Sequence, residues 1–163
     1  MFDLINGIPL HPLVVHAIVV LLPLAMLGTI AIAIRPRWRV TYGPLVVGAA
    51  LTATILCPVA TSSGEELQKR VGDPGEHASL GESLVWFALV LVILSAALVY
   101  LQRRQDKAVA ADASAATSKN TVLTVIAVLA VVAGLATTFQ VYRVGDSGAK
   151  AAWQDAVTAP VGG

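Results

Sequence analysis

Three histidines, His11, His16 and His77, are the side chains of this sequence best suited to chemistry. His11 and His16 lie in the stretch NGIPLHPLVVH (residues 6–16), where a long apolar run begins, and His77 precedes another apolar run. Neutral imidazole is a good ligand for haem iron and for transition metals. A separation of five residues turns His16 about 140° round a helix from His11, unlike the i, i+4 spacing of a one-helix metal chelate. A site would therefore need histidines from different helices.

The composition of the chain is that of an integral membrane protein. Of its 163 residues, 56% are hydrophobic and 13% are charged, whereas an average soluble domain has roughly 45–50% and 25%. Four apolar runs reach the length of about 20 residues that a hydrocarbon core requires. They cover residues 13–34, 43–61, 84–101 and 121–142. We predict an all-α fold, with residues 1–163 forming a single four-span membrane domain, a four-helix bundle.

The four apolar runs hold no Lys, Arg, Asp or Glu, and ionisable groups at mid-membrane are the usual mark of a transporter or pump. The sequence also lacks a serine nucleophile motif and a glycine-rich phosphate loop, so an enzyme is not expected. Cys57 is the only cysteine, which excludes a CxxC motif and favours a small apolar residue near a span end. The basic residues form no patch with aromatic residues, so we expect no nucleic-acid binding.

Charge distribution predicts the orientation of the spans. Seven basic residues lie in the first and third loops, which should therefore face the cytoplasm: Arg35, Arg37, Arg39, Arg103, Arg104, Lys107 and Lys119. The opposite side carries four basic and eight acidic residues. Both termini and all three histidines are then expected on the extracytoplasmic side.

Local signals place each histidine near a helix start. Pro12 suits the first position of a helix, which makes His11 the expected N-cap and places His16 about one turn inside, pointing into the outer end of the bundle. Asp73 and the Pro-Gly-Glu that follows it predict another helix start near residue 74, ahead of His77. With a period of 3.6, His77 continues the packing face of that helix, which holds Leu80, Gly81, Leu84 and Ala88.

Polar segments between and after the spans complete the predicted architecture. Residues 62–71 suit a short amphipathic helix on the outer surface, and residues 103–119 are predicted to be a flexible cytoplasmic linker. Residues 149–157 of the C-terminal tail suit a short interfacial helix. The outer segments would close a polar pocket whose rim carries the histidines.

Three stretches carry a resemblance to a known family: NGIPLHPLVVHAIVVLLPLA (6–25), SSGEELQKRVG followed by EHASLGES (62–83), and VGDSGAKAAW (144–153). Together they resemble the bacterial membrane proteins of the domain of unknown function 2231 family. The resemblance implies a small four-helix protein of the bacterial plasma membrane with no reaction attached. Asp146 stands where the resemblance leads us to expect a histidine.

Two functions remain open at this stage. In the first, His11, His16 and His77 hold a haem b, or a Zn or Cu ion with help from Glu76, Glu82 or Asp146, near the extracytoplasmic face. Such a protein would be a redox or electron-transfer accessory. In the second, the chain is a structural or accessory subunit without a cofactor. For either function, the expected partners of the chain are the lipid bilayer and a larger membrane complex or further copies of the chain.

Overall fold

The computed structural model describes residues 4, 5, 7–112 and 121–158, which form a bundle of long helices. The long helices are α1 (Leu10–Ile34), α3 (Gly43–Val71), α4 (Glu76–Ala111) and α5 (Thr121–Thr158), and the short helix α2 (Pro36–Thr41) joins α1 to α3. Before α1, the two-residue strands β1 (Leu4–Ile5) and β2 (Ile8–Pro9) pair antiparallel around Gly7, whose φ is +81°. The predicted all-α four-helix bundle is confirmed.

The long helices are arranged as a ring. Both α1 and α4 pack on α3 and on α5, whereas α1 and α4 contact each other little and lie diagonally opposite. Because consecutive long helices run in opposite directions, the starts of α1 and α4 meet the ends of α3 and α5. We call this the histidine end of the bundle, because it carries His11 and His77. The other end, which includes α2, is the arginine end.

The outer surface of the bundle is apolar. Four helices are long and apolar enough to cross a membrane, and only 22–39% of the residues in their most apolar windows are buried within the bundle. Large side chains such as Leu24 and Val90 point outward. In water, an apolar surface of this size would cause aggregation. In a bilayer it is the surface expected to face the lipid acyl chains. The chain is a multi-pass membrane protein.

The polar segments continue the helices, which differs from the sequence-based expectation. Helix α3 runs through Pro58 to Val71 without a separate amphipathic helix, and α5 runs on through the expected tail to Thr158. A proline removes only one backbone hydrogen bond, whereas ending the helix would leave several carbonyls unpaired near the membrane edge. Helix α4 likewise includes residues 103–111 of the expected linker. Residues 113–119 of that linker lie outside the described residues.

The bundle is built from two similar helical hairpins. Each buried residue of α4 lies 66 positions after a buried residue of α1, the separation of His77 from His11 (77 − 11 = 66). These α4 residues are Leu80, Leu84, Ala88, Leu91, Ser95, Leu98 and Val99. Helices α3 and α5 correspond with a shift of 84, which aligns the dipeptide Ser63-Gly64 with Ser147-Gly148. The α1–α3 and α4–α5 hairpins are therefore parallel repeats related by an axis along the bundle.

Candidate functional site at the histidine end

His11 connects α1 to α3. Its Nδ1 atom lies 2.8 Å from the carbonyl oxygen of Ala60. Because a carbonyl oxygen only accepts, Nδ1 donates its hydrogen, and Nε2 carries the lone pair in the neutral ring. The ring lies on Gly64, where a Cβ atom would come within 3.0 Å of its Cε1 and Nδ1 atoms. The helix begins at Leu10 after an N-cap at Pro9, so the prediction of His11 as the N-cap was wrong.

His77 makes the corresponding connection between α4 and α5. Its Nδ1 atom lies 3.1 Å from the carbonyl oxygen of Val144 and 3.3 Å from the hydroxyl oxygen of Ser147. The ring lies on Gly148, where a Cβ atom would come within 2.9 Å of its Cε1 atom. His77 is half-buried on the same face as the buried Leu80, which confirms the predicted packing face. Helix α4 itself begins at Glu76, two residues later than expected.

The two histidine environments are equivalent under the internal repeat. Ala60 and Val144, whose carbonyls accept from the two rings, are related by the same shift of 84 residues as Gly64 and Gly148. In both hairpins the histidine lies in the first turn of one helix, and its ring packs four residues beyond the accepting carbonyl. Each hairpin thus contains one histidine contact of this kind, so the bundle contains two such contacts.

His16 does not join either histidine. It is exposed on the outside of α1, and its Nδ1 atom contacts the carbonyl oxygen of Pro12 in its own helix. Since His11 faces α3, the rotation of about 140° directs His16 outward and not into the bundle, so that part of the prediction was wrong. Among the described residues, no group of three or more His, Cys, Asp or Glu side chains is placed to hold a metal ion.

The acidic candidates at this end form ion pairs or face outward. Glu76 lies 3.5 Å from Arg143, and Asp146 lies 2.7 Å from Lys150. Both ion pairs border a cavity of about 100 Å³ between α4 and α5, smaller than the ~300–1,000 Å³ typical of small-molecule sites. Glu82 is exposed.

Gln140 and Arg39 are buried polar residues whose side chains donate hydrogen bonds to a neighbouring helix, and neither was predicted to belong to a site. Gln140 of α5 donates from Nε2 to the carbonyl oxygen of Leu80 and to the hydroxyl of Ser83, at 3.1 and 2.7 Å. It joins α5 to α4 close to the His77 contact. The sequence does contain one indication of this contact, which is a glutamine near the end of an otherwise apolar span. In lipid, a polar side chain usually faces a neighbouring helix.

Arg39 is a buried polar residue at the arginine end. It is only 4% exposed, although the sequence placed it in a loop that should face the cytoplasm. Its Nε and Nη2 atoms donate to the carbonyl oxygens of Ile32 and Ala33, both at 2.8 Å, and its Nη1 atom donates to Gln102. Burial lowers the pKa of Arg39, but an arginine side chain keeps its charge in proteins. Arg39 therefore donates hydrogen bonds to carbonyl oxygens at the end of α1 and connects this helix to α4.

Cys57 lies in the apolar core between the helices and is 4% exposed. It packs in the same cluster as Ile18, Leu22 and Ala53. Free cysteines often behave as small apolar residues when they are buried, and this position agrees with the expectation from the sequence. Cys57 therefore contributes to packing.

Comparison with known proteins places these features in a family. No curated protein and no solved structure matches the chain. A family model described as "Predicted membrane protein (DUF2231)" matches residues 7–160. This range includes both histidine contacts, both Ser-Gly dipeptides and all four spans. The chain therefore belongs to the DUF2231 family of membrane proteins.

Proposed function

We propose that this chain is a non-catalytic membrane subunit whose two helical hairpins are each locked at the histidine end by one histidine. The observation that supports this most directly is the pairing of His11 with Ala60 and Gly64, repeated by His77 with Val144 and Gly148. Each ring has a hydrogen bond to a neighbouring helix and a close contact with a glycine. Both interactions are made entirely by groups of this chain.

A second candidate function is a cofactor-holding protein, and one feature of the same contacts favours it. Histidines that bind a metal commonly donate their other ring hydrogen to a backbone carbonyl, which fixes the tautomer. His11 and His77 both do so through Nδ1, and the Nε2 atoms are the ones that would bind haem b, Zn or Cu. His16, which faces outward, would join such a site only from a second copy or a partner subunit.

The proposed surroundings are the bacterial plasma membrane, with the histidine end on the extracytoplasmic side. The concentration of Arg and Lys at the other end supports this orientation. Proposed partners are the lipid bilayer and either a larger membrane complex or further copies of this chain. The fold and the membrane location would be the same for a redox accessory as for a structural subunit.

A double-mutant cycle with His11→Ala and His77→Ala distinguishes the two functions. The two rings contact different helix pairs, so as structural locks they should act independently. Each substitution should lower the free energy of unfolding by about 1–2 kcal/mol, because each removes one partly buried hydrogen bond between helices. The double variant should then show the sum of the two effects within about 0.5 kcal/mol. His16→Ala is the control and should change stability little, because its side chain is exposed.

Spectroscopy on the same detergent-purified samples tests the cofactor. The protein is expressed with ample haem supply, and its absorption spectrum is recorded before and after dithionite, together with a metal analysis. A Soret band or a stoichiometric metal that either single variant abolishes would replace the structural proposal with the cofactor-holding one. The proposal is supported by additive losses of stability and by unchanged spectra in all variants.

A further inference from the structure

At the arginine end, the buried positive charge of Arg39 has no negative partner among the described residues. The three groups that accept hydrogen bonds from Arg39 are the carbonyls of Ile32 and Ala33 and the amide oxygen of Gln102, and all are neutral. Among the described residues no carboxylate forms a salt bridge with its guanidinium group. Burying a charge is costly unless an opposite charge accompanies it. Arg39 therefore creates a strong preference for an anion.

The guanidinium group borders a cavity with room for that anion. A cavity of about 280 Å³ is lined by Pro36, Arg39, Gln102, Gln105, Leu123 and Thr124. A water molecule takes up about 30 Å³ of liquid volume, so a phosphate group fits with space to spare. Of the five N–H bonds of an arginine, three donate to the protein here. The other two remain for a ligand.

The remaining lining of the cavity suits a phosphate group. Gln102, Gln105 and Thr124 are neutral polar residues, and none of the described residues that line the cavity is acidic. The carboxylate of Asp106, which accepts from Gln102 Nε2 at 2.9 Å, is exposed. Arginine binds phosphate oxygens with strong, charge-assisted hydrogen bonds.

The position of the cavity at the membrane edge indicates the source of the phosphate. Trp38 and Tyr42 are exposed beside Arg39, and such aromatic residues lie at the level of lipid headgroups. Exposed basic residues surround the same end: Arg35, Arg37, Arg103, Arg104 and Lys107. Basic pockets between membrane helices on the cytoplasmic side are known to bind anionic lipid headgroups.

We propose that the cavity between α2, α4 and α5 binds a phosphate group through Arg39, and that the headgroup of an anionic phospholipid supplies this phosphate. The bound headgroup would provide the missing negative charge and connect the start of α5 to the loop after α1. The inference does not depend on the function of the histidines at the other end.

Ligand-dependent stabilisation of the full-length chain tests the proposal. The protein is stripped of lipid in detergent, and its unfolding temperature is followed as short-chain phosphatidylglycerol, short-chain phosphatidylcholine or inorganic phosphate is added. We expect phosphatidylglycerol to bind at least about tenfold more tightly than phosphatidylcholine, because the choline cation already compensates the phosphate charge of phosphatidylcholine and leaves no net charge to offset that of Arg39. If inorganic phosphate binds as tightly as phosphatidylglycerol, the phosphate site stands and its proposed lipid source is wrong.

Three variants separate this site from general surface charge. Arg39→Gln removes the charge, and Gln102→Glu keeps an acceptor for Arg39 Nη1 while supplying an internal counter-charge, so the second variant remains informative if the first does not fold. Both should lower the affinity for phosphatidylglycerol to that for phosphatidylcholine. Arg37→Gln, a change to an exposed arginine of the same helix α2, should lower it by no more than about fivefold.

Two outcomes would overturn the proposal. In the first, phosphatidylglycerol stabilises the protein no better than phosphatidylcholine does, and inorganic phosphate has no effect. In the second, Arg37→Gln weakens binding as much as Gln102→Glu does, which would assign the effect to the charge of the whole surface.

Discussion

At the scale of single residues, the histidine end depends on glycines as much as on histidines. Gly64 and Gly148 lie under the two rings, and a Cβ atom at either position would come within 3.0 Å of a ring atom. Glycine in a helix interior costs about 1 kcal/mol relative to alanine. That cost is offset here because the absence of a side chain lets each ring reach a carbonyl one turn earlier in the neighbouring helix.

Gly148→Ala should therefore destabilise the protein, whereas Gly145→Ala in the same helix should stabilise it. A methyl group at position 148 would displace the His77 ring and its hydrogen bond, at a cost of about 1–3 kcal/mol. A methyl group at position 145 meets no atom within 4 Å and should gain up to about 1 kcal/mol of helix propensity. Thermal or denaturant unfolding in detergent measures both. Equal effects of the two substitutions would show that the ring does not depend on Gly148.

At the scale of elements, close helix approach at small residues holds the hairpins together. Gly43 starts α3 against Val99 of α4, where a Cβ atom would lie 2.3 Å from Val99 Cγ2. Gly28 of α1 and Gly134 of α5 are similarly close to Val46 and Ile30. Small residues at such positions are the usual basis of helix packing in lipid, where water does not drive apolar surfaces together.

Gly43→Ala should loosen the contact between α3 and α4 near the arginine end. Val99 has a stiff, branched side chain, so relieving the clash requires a shift of one helix, and we expect a loss of about 1–3 kcal/mol. Gly48→Ala, one and a half turns further along α3, is the matched control because a Cβ atom there meets no atom within 4 Å. The free energies of unfolding of both variants are compared with that of the unchanged chain. A neutral Gly43→Ala variant would contradict the close packing of these helices.

At the scale of the whole molecule, the two ends of the bundle differ in charge and in chemistry. The histidine end joins neighbouring helices through imidazole rings, and the arginine end carries the buried Arg39 and most of the exposed basic side chains. A membrane protein with this asymmetry should take one orientation, because basic loops are retained on the cytoplasmic side.

Labelling in intact cells tests that orientation. In a Cys57→Ala background, single cysteines are placed at two exposed positions, Ser79→Cys at the histidine end and Lys107→Cys at the arginine end. A membrane-impermeant maleimide should label position 79 in intact cells and position 107 only after the cells are opened. The reverse pattern would place the histidines in the cytoplasm.

The four spans and the packing face of α4 could be predicted from the sequence alone. In lipid every backbone polar group must be satisfied within the segment, so an apolar run of sufficient length has little choice but to form a helix. The face with Leu80, Leu84 and Ala88 followed from a period of 3.6 residues. These features depend on residues that are close together along one helix. They can therefore be predicted without knowing which helices lie beside it.

Which side chains come into contact could be seen only once the helices were packed together. His11, His16 and His77 looked alike in sequence, but the positions of α3 and α5 give two of them a carbonyl and a glycine and leave His16 facing outward. Arg39 was expected in a loop facing the cytoplasm, but helix α2 folds it back so that it donates to the carbonyls of Ile32 and Ala33. The physical reason is the same in each case: the environment of a side chain depends on which helices lie beside it, and no local pattern specifies that.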